Sequence, residues 1–165
     1  MGTTRIIRHV GGEIRSFDGD RVMGVFLGKS KNTSAAKAAL HINYFFGHIL
    51  KPIAEDFYKH RNLSLSQGVG IDTSETMVVR SGIRNNNDLV WVGRAPNVAA
   101  KLSAIREVGY SSYISEAVFN LLHESSKYGG TPRRSMWERR AWGKGVPYGV
   151  GIVYRSNWYW PVSNT

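Results

Sequence analysis

The chain has 165 residues, of which 42% are hydrophobic, so it is long enough for one domain with its own core and is unlike a disordered segment. It contains no cysteine and no apolar run long enough to cross a bilayer, which argues against disulfides, zinc–thiolate sites, thiol nucleophiles and membrane-spanning helices. The formal charge of +10 favours a polyanionic partner, such as a polyphosphate ligand, a nucleic acid or an anionic membrane, or else reflects a solvated basic surface.

The N-terminal part of the sequence predicts a helix end, a β-hairpin and a long helix. Residues 3–9 have a helical pattern that Gly11-Gly12 would stop. Two strand-like runs then flank Asp18-Gly19, a pair typical of a two-residue turn in which both positions need a positive φ. Apolar residues at helical spacing follow, and Pro52 is expected to kink or restart this helix.

The remaining sequence predicts strands that alternate with two further helices. Residues 63–73 and 76–82 have strand patterns, 84–88 form a polar loop, and 89–93 are a short strand before a helix of small residues. Ser115 is a suitable N-cap for a last helix, and the glycine- and aromatic-rich end predicts one or two closing strands. This order predicts an α+β fold, with helices packed on a mixed, mainly antiparallel sheet.

Two polar features interrupt these elements. Asp18 and Asp20 lie at the hairpin tip, where a carboxylate would be exposed and available to a hard cation, although aspartate also suits turns for purely structural reasons. Asn97 and Lys101 lie one helical turn apart and would present an amide and a cation on one side of the helix. Such a pair fits an anionic or hydroxylated ligand.

Four ordered segments together resemble the catalytic domain of the class III nucleotide cyclases. They are GGEIRSFDGDRVMGVF, GVGIDTSETMVV, VWVGRAPNVAAKLSAIR and YISEAVFNLL, and the resemblance covers about residues 5–122. It implies a class III cyclase fold, which is ferredoxin-like, and conversion of a nucleoside triphosphate into a 3′,5′-cyclic monophosphate and pyrophosphate. It also implies a divalent metal cofactor, Mn²⁺ or Mg²⁺.

The resemblance assigns a role to each polar feature. Asp20 would be a metal ligand, Asn97 would orient the ribose, and Lys101 stands where the family usually has a transition-state arginine. Arg94, just before the same helix, would contribute to substrate binding. The family builds its site between two protomers, so a head-to-tail homodimer is implied.

The family's other metal aspartate lies on a first strand upstream of the hairpin, and the sequence shows no such strand. We therefore expect residues 1–165 to form a single nucleotide cyclase catalytic domain that is N-terminally incomplete.

The positions that read the purine differ from those of adenylate cyclases. Ser16 stands where adenylate-specific relatives have a lysine, and Val90 stands where they have an aspartate. Valine accepts no hydrogen bond from an adenine amino group, and the pair does not fit guanine either. These departures resemble the bacterial pyrimidine cyclases of phage-defence systems. A pocket rich in donors, with Arg15 beside Ser16, favours UTP over CTP.

Three other interpretations remain open. The chain could be a catalytically inactive cyclase-like domain that binds a nucleotide or has a regulatory role, which the absent strand and Lys101 favour. It could be an adenylate cyclase with an atypical base pocket. A nucleic-acid-binding module rests on charge alone, so we expect no specific nucleic acid, no membrane and a cytoplasmic protein, since the N-terminal residues lack a secretory signal.

Overall fold

A computed structural model of the chain describes residues 2–61, 64–83, 86–142 and 149–162. Seventeen elements follow one another in these ranges, in chain order: α1 (Thr3–His9), β1 (Glu13–Asp18), β2 (Arg21–Val25), α2 (Lys31–Tyr44), a π-helix (Phe45–Leu50), α3 (Lys51–Phe57), β3 (Val69–Ile71), β4 (Thr76–Ile83), β5 (Asn86–Gly93), α4 (Arg94–Ser103), β6 (Ser112–Ser115), α5 (Glu116–Asn120), α6 (Glu124–Lys127), β7 (Tyr128–Gly129), β8 (Arg134–Ser135), β9 (Glu138–Ala141) and β10 (Ile152–Ser156).

The main sheet has four strands in the order β3-β6-β10-β9. β3 runs parallel to β6, whereas β10 runs antiparallel to both β6 and β9. The strand pairs β1-β2, β4-β5 and β7-β8 form three separate antiparallel ribbons. The predicted α+β fold with a mixed, mainly antiparallel sheet is therefore confirmed.

The β1-β2 hairpin turns one residue later than predicted. Asp18 pairs with Arg21 across the ribbon, so the two turn residues are Gly19, with φ of 60°, and Asp20. The Arg21 guanidinium donates to the Asp18 carboxylate and closes the last pair. Asp18 thus belongs to the strand, and Asp20 lies at the exposed tip.

Helix α4 lies against β3 with very little space between the two backbones. A Cβ at Gly70 would lie 2.1 Å from the carbonyl oxygen of Ala99, which explains why a glycine stands in this strand. Val98 and Leu102 of α4 are fully buried and pack with Tyr113 of β6. Packing to the β3-β6 edge therefore determines which face of α4 remains exposed.

Several predicted boundaries differ from the structure. Pro52 lies in the first turn of α3, so the predicted restart is confirmed. The prediction of a loop at 84–88 is wrong from residue 86 onward. Asn86–Gly93 forms a strand that pairs along its whole length with Thr76–Ile83, and this pairing outweighs the polar composition. The predicted strand at 63–73 is reduced to Val69–Ile71. The first residue of this predicted strand, 63, and the first two residues of the predicted loop, 84–85, lie outside the described residues.

The helix predicted after Ser115 is interrupted. The Ser115 side chain caps α5 by accepting from the backbone N–H of Val118 at 3.3 Å, as predicted. The chain then leaves the helix, and the His123 side chain accepts from Ser125 N–H to start α6. Throughout the described ranges, no helix combines the length and the apolar character needed to cross a membrane.

Candidate functional site

Asp20 presents its carboxylate at the tip of the β1-β2 hairpin. It is exposed, and the neighbouring Asp18 is already bound by Arg21. The described residues contain no group of three or more histidine, aspartate or glutamate side chains able to enclose a metal. Mg²⁺ is commonly held by one or two carboxylates together with substrate phosphates, so Asp20 fits as one ligand of such an ion and not as part of a closed protein cage.

Helix α4 exposes Asn97 and Lys101 on one side. The two residues are four positions apart and therefore neighbours on the helix surface. The Asn97 amide nitrogen donates to the Gly93 carbonyl oxygen at 2.9 Å, which ties the side chain to the start of its own helix. Val98 and Leu102, each adjacent in sequence to one of this pair, are fully buried. The buried face thus holds the exposed amide and cation in place.

Arg94, at the first position of α4, is bound by Asp72 from the end of β3. Nε and Nη2 of Arg94 donate to the two carboxylate oxygens of Asp72 at 3.1 and 3.0 Å, and the Asp72 side chain is completely buried. The hydrogen bond from Arg94 to Asp72, and then the negative charge of Asp72, hold the pKa of Arg94 above its ordinary value. Substrate contact by Arg94 stays a prediction, and the structure shows its guanidinium in an internal ion pair.

The loop that carries Asp72 also caps helix α4. The Ala95 backbone N–H donates to Ser74 Oγ at 3.1 Å, and Arg94 Nη2 reaches the Thr73 carbonyl oxygen at 3.5 Å. An unpaired N–H group at a helix start is satisfied in this way. The loop after β3 therefore fixes the start of the helix that presents Asn97 and Lys101.

Arg15 lies at an irregularity of β1, where the register shifts between Ile14 and Ser16. Its guanidinium lies over the ring of Trp91, with the central carbon 5.5 Å from the ring centroid, and it donates to the Glu13 carboxylate. This contact joins the β1-β2 and β4-β5 ribbons, although they share no sheet. Arg15 directly precedes Ser16 in the chain and Trp91 directly follows Val90, so the contact joins the neighbours of the two predicted base-reading residues.

The two base-reading candidates themselves are exposed. Ser16 pairs with Met23 across β1-β2, and Val90 pairs with Val79 across β4-β5. Because side chains alternate along a strand, Val90 points to the face opposite Trp91. Val90 remains 43% exposed, so it offers an apolar surface without a hydrogen-bonding group.

The structure thus groups the predicted residues in three places: Asp20 at a hairpin tip, Asn97 and Lys101 on α4, and Arg15 with Ser16 near β5. Their assigned roles stay predictions. Sequence reasoning missed Asp72 and Trp91. An acidic residue directly after a strand, followed later by an arginine at a helix start, was the signal for Asp72. For Trp91 only its position beside Val90 pointed to the site.

A second charged cluster lies between β6, β9 and β10. Arg155, 12% exposed, donates to Glu107 at 2.7 Å and to Glu138 at 2.8 Å. The hydrogen bond from Arg155 is the main reason why the pKa of Glu107 and that of Glu138 lie below the ordinary value. Burial raises the pKa of Tyr113, whose hydroxyl donates to Glu107 at 3.0 Å. None of the predicted site residues takes part in these contacts.

Curated relatives cover almost the whole chain. A uridylate cyclase of Xanthomonas perforans is 40% identical over 158 residues, which are 96% of this chain and 65% of that protein. One of Burkholderia cepacia is 44% identical over 95% of the chain and 65% of its own length. A third, of Rhodovulum sp. (strain MB263), is 38% identical over 98% of the chain and 68% of its own length. The chain thus spans about two-thirds of the length of these relatives.

Solved structures agree in fold. A bacterial light-regulated adenylyl cyclase superposes with a TM-score of 0.69 at 25% identity, covering 94% of this chain and 41% of that one. The guanylyl cyclase Cya2 superposes with a TM-score of 0.71 at 18% identity, covering 98% of this chain and 78% of that one, and shows the fold alone. No protein-family model matches the chain.

Proposed function

The chain belongs to the family of the uridylate cyclases, which have the class III nucleotide cyclase fold, and on this premise we propose that it is a pyrimidine nucleotide cyclase. It converts UTP, in preference to CTP, into the 3′,5′-cyclic monophosphate and pyrophosphate. The observation that carries this proposal is the similarity to three proteins named uridylate cyclase. They are 38% to 44% identical to the chain along nearly its full length.

The chemistry is an internal phosphoryl transfer. The ribose 3′-oxygen loses its proton and attacks the α-phosphorus, and the bond from the α-phosphorus to the bridging oxygen of pyrophosphate breaks. The Asn97 amide orients the ribose, and the Lys101 ammonium stabilises negative charge on the transferring phosphoryl group. Both side chains need a rigid support for this, which the contacts of α4 with β3 and with the loop at Asp72 supply.

Asp20 would hold a divalent cation, Mg²⁺ or Mn²⁺, together with the substrate phosphates. When bound, such an ion lowers the pKa of the 3′-hydroxyl and neutralises polyphosphate charge. The exposed position of Asp20 at a tight turn fits this role, because the carboxylate reaches a substrate-borne ion without rearrangement of the hairpin.

Base recognition in this proposal uses Arg15 and Ser16 of β1 and Val90 of β5. The Val90 side chain has no hydrogen-bond acceptor, so it cannot recognise an adenine amino group as an aspartate at this position would. Ser16 can donate or accept, and Arg15 only donates. A uracil ring, with carbonyl acceptors at positions 2 and 4, fits this set better than cytosine.

A head-to-tail homodimer completes the site in this proposal. Asp20 of one protomer faces Asn97 and Lys101 of the partner subunit across a shared cleft. One face of the β4-β5 ribbon supports a partner there, because its cross-strand pairs Met77–Val92 and Val79–Val90 are apolar and exposed. An isolated two-stranded ribbon is marginally stable, and coverage by a second subunit would stabilise it.

We place the reaction in the cytoplasm, where the cyclic nucleotide acts as a signal in antiphage defence. The resemblance to the pyrimidine cyclases of phage-defence systems is what supports this role. Phage plaque counts on cells that carry the gene, compared with cells that carry an Asp20→Ala variant, test it. Equal counts would refute a defensive role without touching the enzymatic proposal.

The activity is tested by incubating the longest open reading frame that contains this chain with each of the four ribonucleoside triphosphates and Mn²⁺. Mass spectrometry of the products identifies the cyclic nucleotide. Cyclic UMP is the expected main product, and cyclic CMP in excess would refute the preference for UTP. Cyclic AMP would support the atypical adenylate cyclase. If no nucleotide gave a cyclic product, a catalytically inactive nucleotide-binding domain would be favoured instead. This is the second candidate function, because Lys101 stands where the family usually has an arginine.

A further inference from the structure

Trp91 of β5 contacts the Arg15 side chain of β1. The register shift at Arg15 takes the side chain out of the regular alternation of β1, and the Trp91 ring lies under the guanidinium at 5.5 Å. This distance is within the range of cation–π attraction. Trp91 itself is half-buried in β5 and directly follows Val90. The ring therefore holds the guanidinium on the face of β5 opposite Val90, with Ser16 the next residue after Arg15 in β1.

Both side chains of this pair offer donors and no acceptor. Arg15 Nε and Trp91 Nε1 are buried, and no hydrogen-bond partner for either occurs among the described residues. Glu13 accepts from Nη2, the outer nitrogen of Arg15. Native proteins leave buried donors unpaired at few places, and a bound water or ligand often explains them. The Arg15 side chain is 26% exposed, so an acceptor from outside the chain would have to approach the exposed part of its guanidinium.

We propose that Trp91 is a positioning residue, which holds Arg15 so that its guanidinium donates to the oxygen at position 4 of uracil and thereby selects UTP over CTP. This inference rests on the proposed function. Cytosine carries an amino donor at position 4, so a guanidinium placed there meets another donor and both lose their hydrogen bonds. The roles assigned to Ser16 and Val90 give no function to Trp91 or to its contact with Arg15.

Binding of 3′-deoxy-UTP and 3′-deoxy-CTP in the presence of Mg²⁺ tests the proposal, because these analogues lack the attacking hydroxyl and report base recognition without turnover. Titration calorimetry gives the ratio of the two dissociation constants for each variant. We expect Arg15→Lys to lower the UTP preference about tenfold, since lysine loses the planar fork. Trp91→Leu should lower it about fivefold, and Trp91→Phe should retain most of it because a ring remains.

Trp158→Leu is the matched control. Arg134 lies 5.2 Å from the Trp158 ring, so the chain has a second contact of the same kind outside the candidate site. The control should leave the preference unchanged, and thermal unfolding of all variants separates misfolding from altered recognition. An unchanged preference in Trp91→Leu, an equal loss in Trp158→Leu, or a wild type that prefers the CTP analogue would each overturn the proposal. Lack of cyclic product from wild type with an intact binding preference would refute the cyclase function alone.

Discussion

The buried carboxylate of Asp72 and the guanidinium of Arg94 form a two-point ion pair between the end of β3 and the start of α4. The pair spans the junction between the sheet and the helix that presents Asn97 and Lys101. Together with the Ser74 cap at Ala95, it determines where this helix begins. Positioning of the proposed catalytic side chains thus depends on a charge outside the site itself.

Replacing Asp72 by asparagine should therefore affect both stability and turnover. The change removes the negative charge that pairs with Arg94, and we expect a loss of about 1–3 kcal/mol in the free energy of unfolding, because Arg94 is partly exposed and can rehydrate. Urea denaturation measures this loss. Glu75→Gln, on an exposed residue of the same loop, is the matched control and should change little. Equal effects of the two changes would refute the positioning role of the ion pair.

Two aspartates of one hairpin allow a sharp test of the metal-ligand prediction. Asp20→Asn should lower metal-dependent cyclisation by about 100-fold or more, since it removes a carboxylate ligand. Asp18→Asn breaks only the exposed contact with Arg21 and should keep most of the activity. Product formation at increasing Mn²⁺ concentrations is the measurement. If the two variants were equally active, the assignment of Asp20 would be discarded.

Lys101 should act through its positive charge. Lys101→Ala is expected to lower kcat by about 10²–10³, as for the loss of one stabilising group at a transferring oxygen or phosphoryl centre. Lys101→Arg keeps the charge and supplies the fork usual in the family, so it should retain activity within about tenfold. Lys59→Ala, on an exposed residue beyond α3, serves as the control in the same steady-state assay. Full activity of Lys101→Ala would contradict the role.

Gly70 should tolerate no side chain. An added Cβ would lie 2.1 Å from the Ala99 carbonyl oxygen and 2.4 Å from the Ser103 backbone nitrogen, so α4 would have to move away from β3. We expect Gly70→Ala to destabilise the protein by about 1–3 kcal/mol and to lower turnover as well. Gly47→Ala is the control, because no described residue outside its own helix turn has an atom within 4 Å of the added Cβ. Thermal unfolding compares the two, and equal midpoints would contradict the close packing.

Acidification should weaken the cluster around Arg155. The pKa of Glu107 is lowered chiefly by the hydrogen bond from Arg155, so its contribution to stability is complete above the ordinary carboxyl pKa of 4.5 and is lost as the pH falls through the lower pKa of the folded state. Glu107→Gln should therefore reduce stability at neutral pH and flatten its decline below about pH 4.5. Urea unfolding at several pH values checks this. Glu55→Gln, in an exposed pair with Lys51, should leave the acid dependence unchanged.

Local sequence signals predicted the elements that carry the candidate site residues, and the sequence also indicated the family. The glycine at position 19 indicated a tight turn, and Ser115 was correctly expected to cap α5, because such features depend on a few neighbouring residues. Local signals failed where pairing partners decide the outcome. The polar residues from Asn86 onward form a strand because Thr76–Ile83 lies beside them, and the hairpin turn moved by one residue because Asp18 pairs with Arg21.

Local sequence was enough to predict that Asp20 follows a turn glycine and that Asn97 and Lys101 share one side of a helix, since both features depend on backbone periods of a few residues. The ion pair between Asp72 and Arg94 and the contact of Arg15 with the Trp91 ring arise only when the chain folds. These partners are 22 and 76 positions apart in the chain. Their contacts exist because separate sheets and helices pack together, and no local pattern encodes which side chains meet when they do.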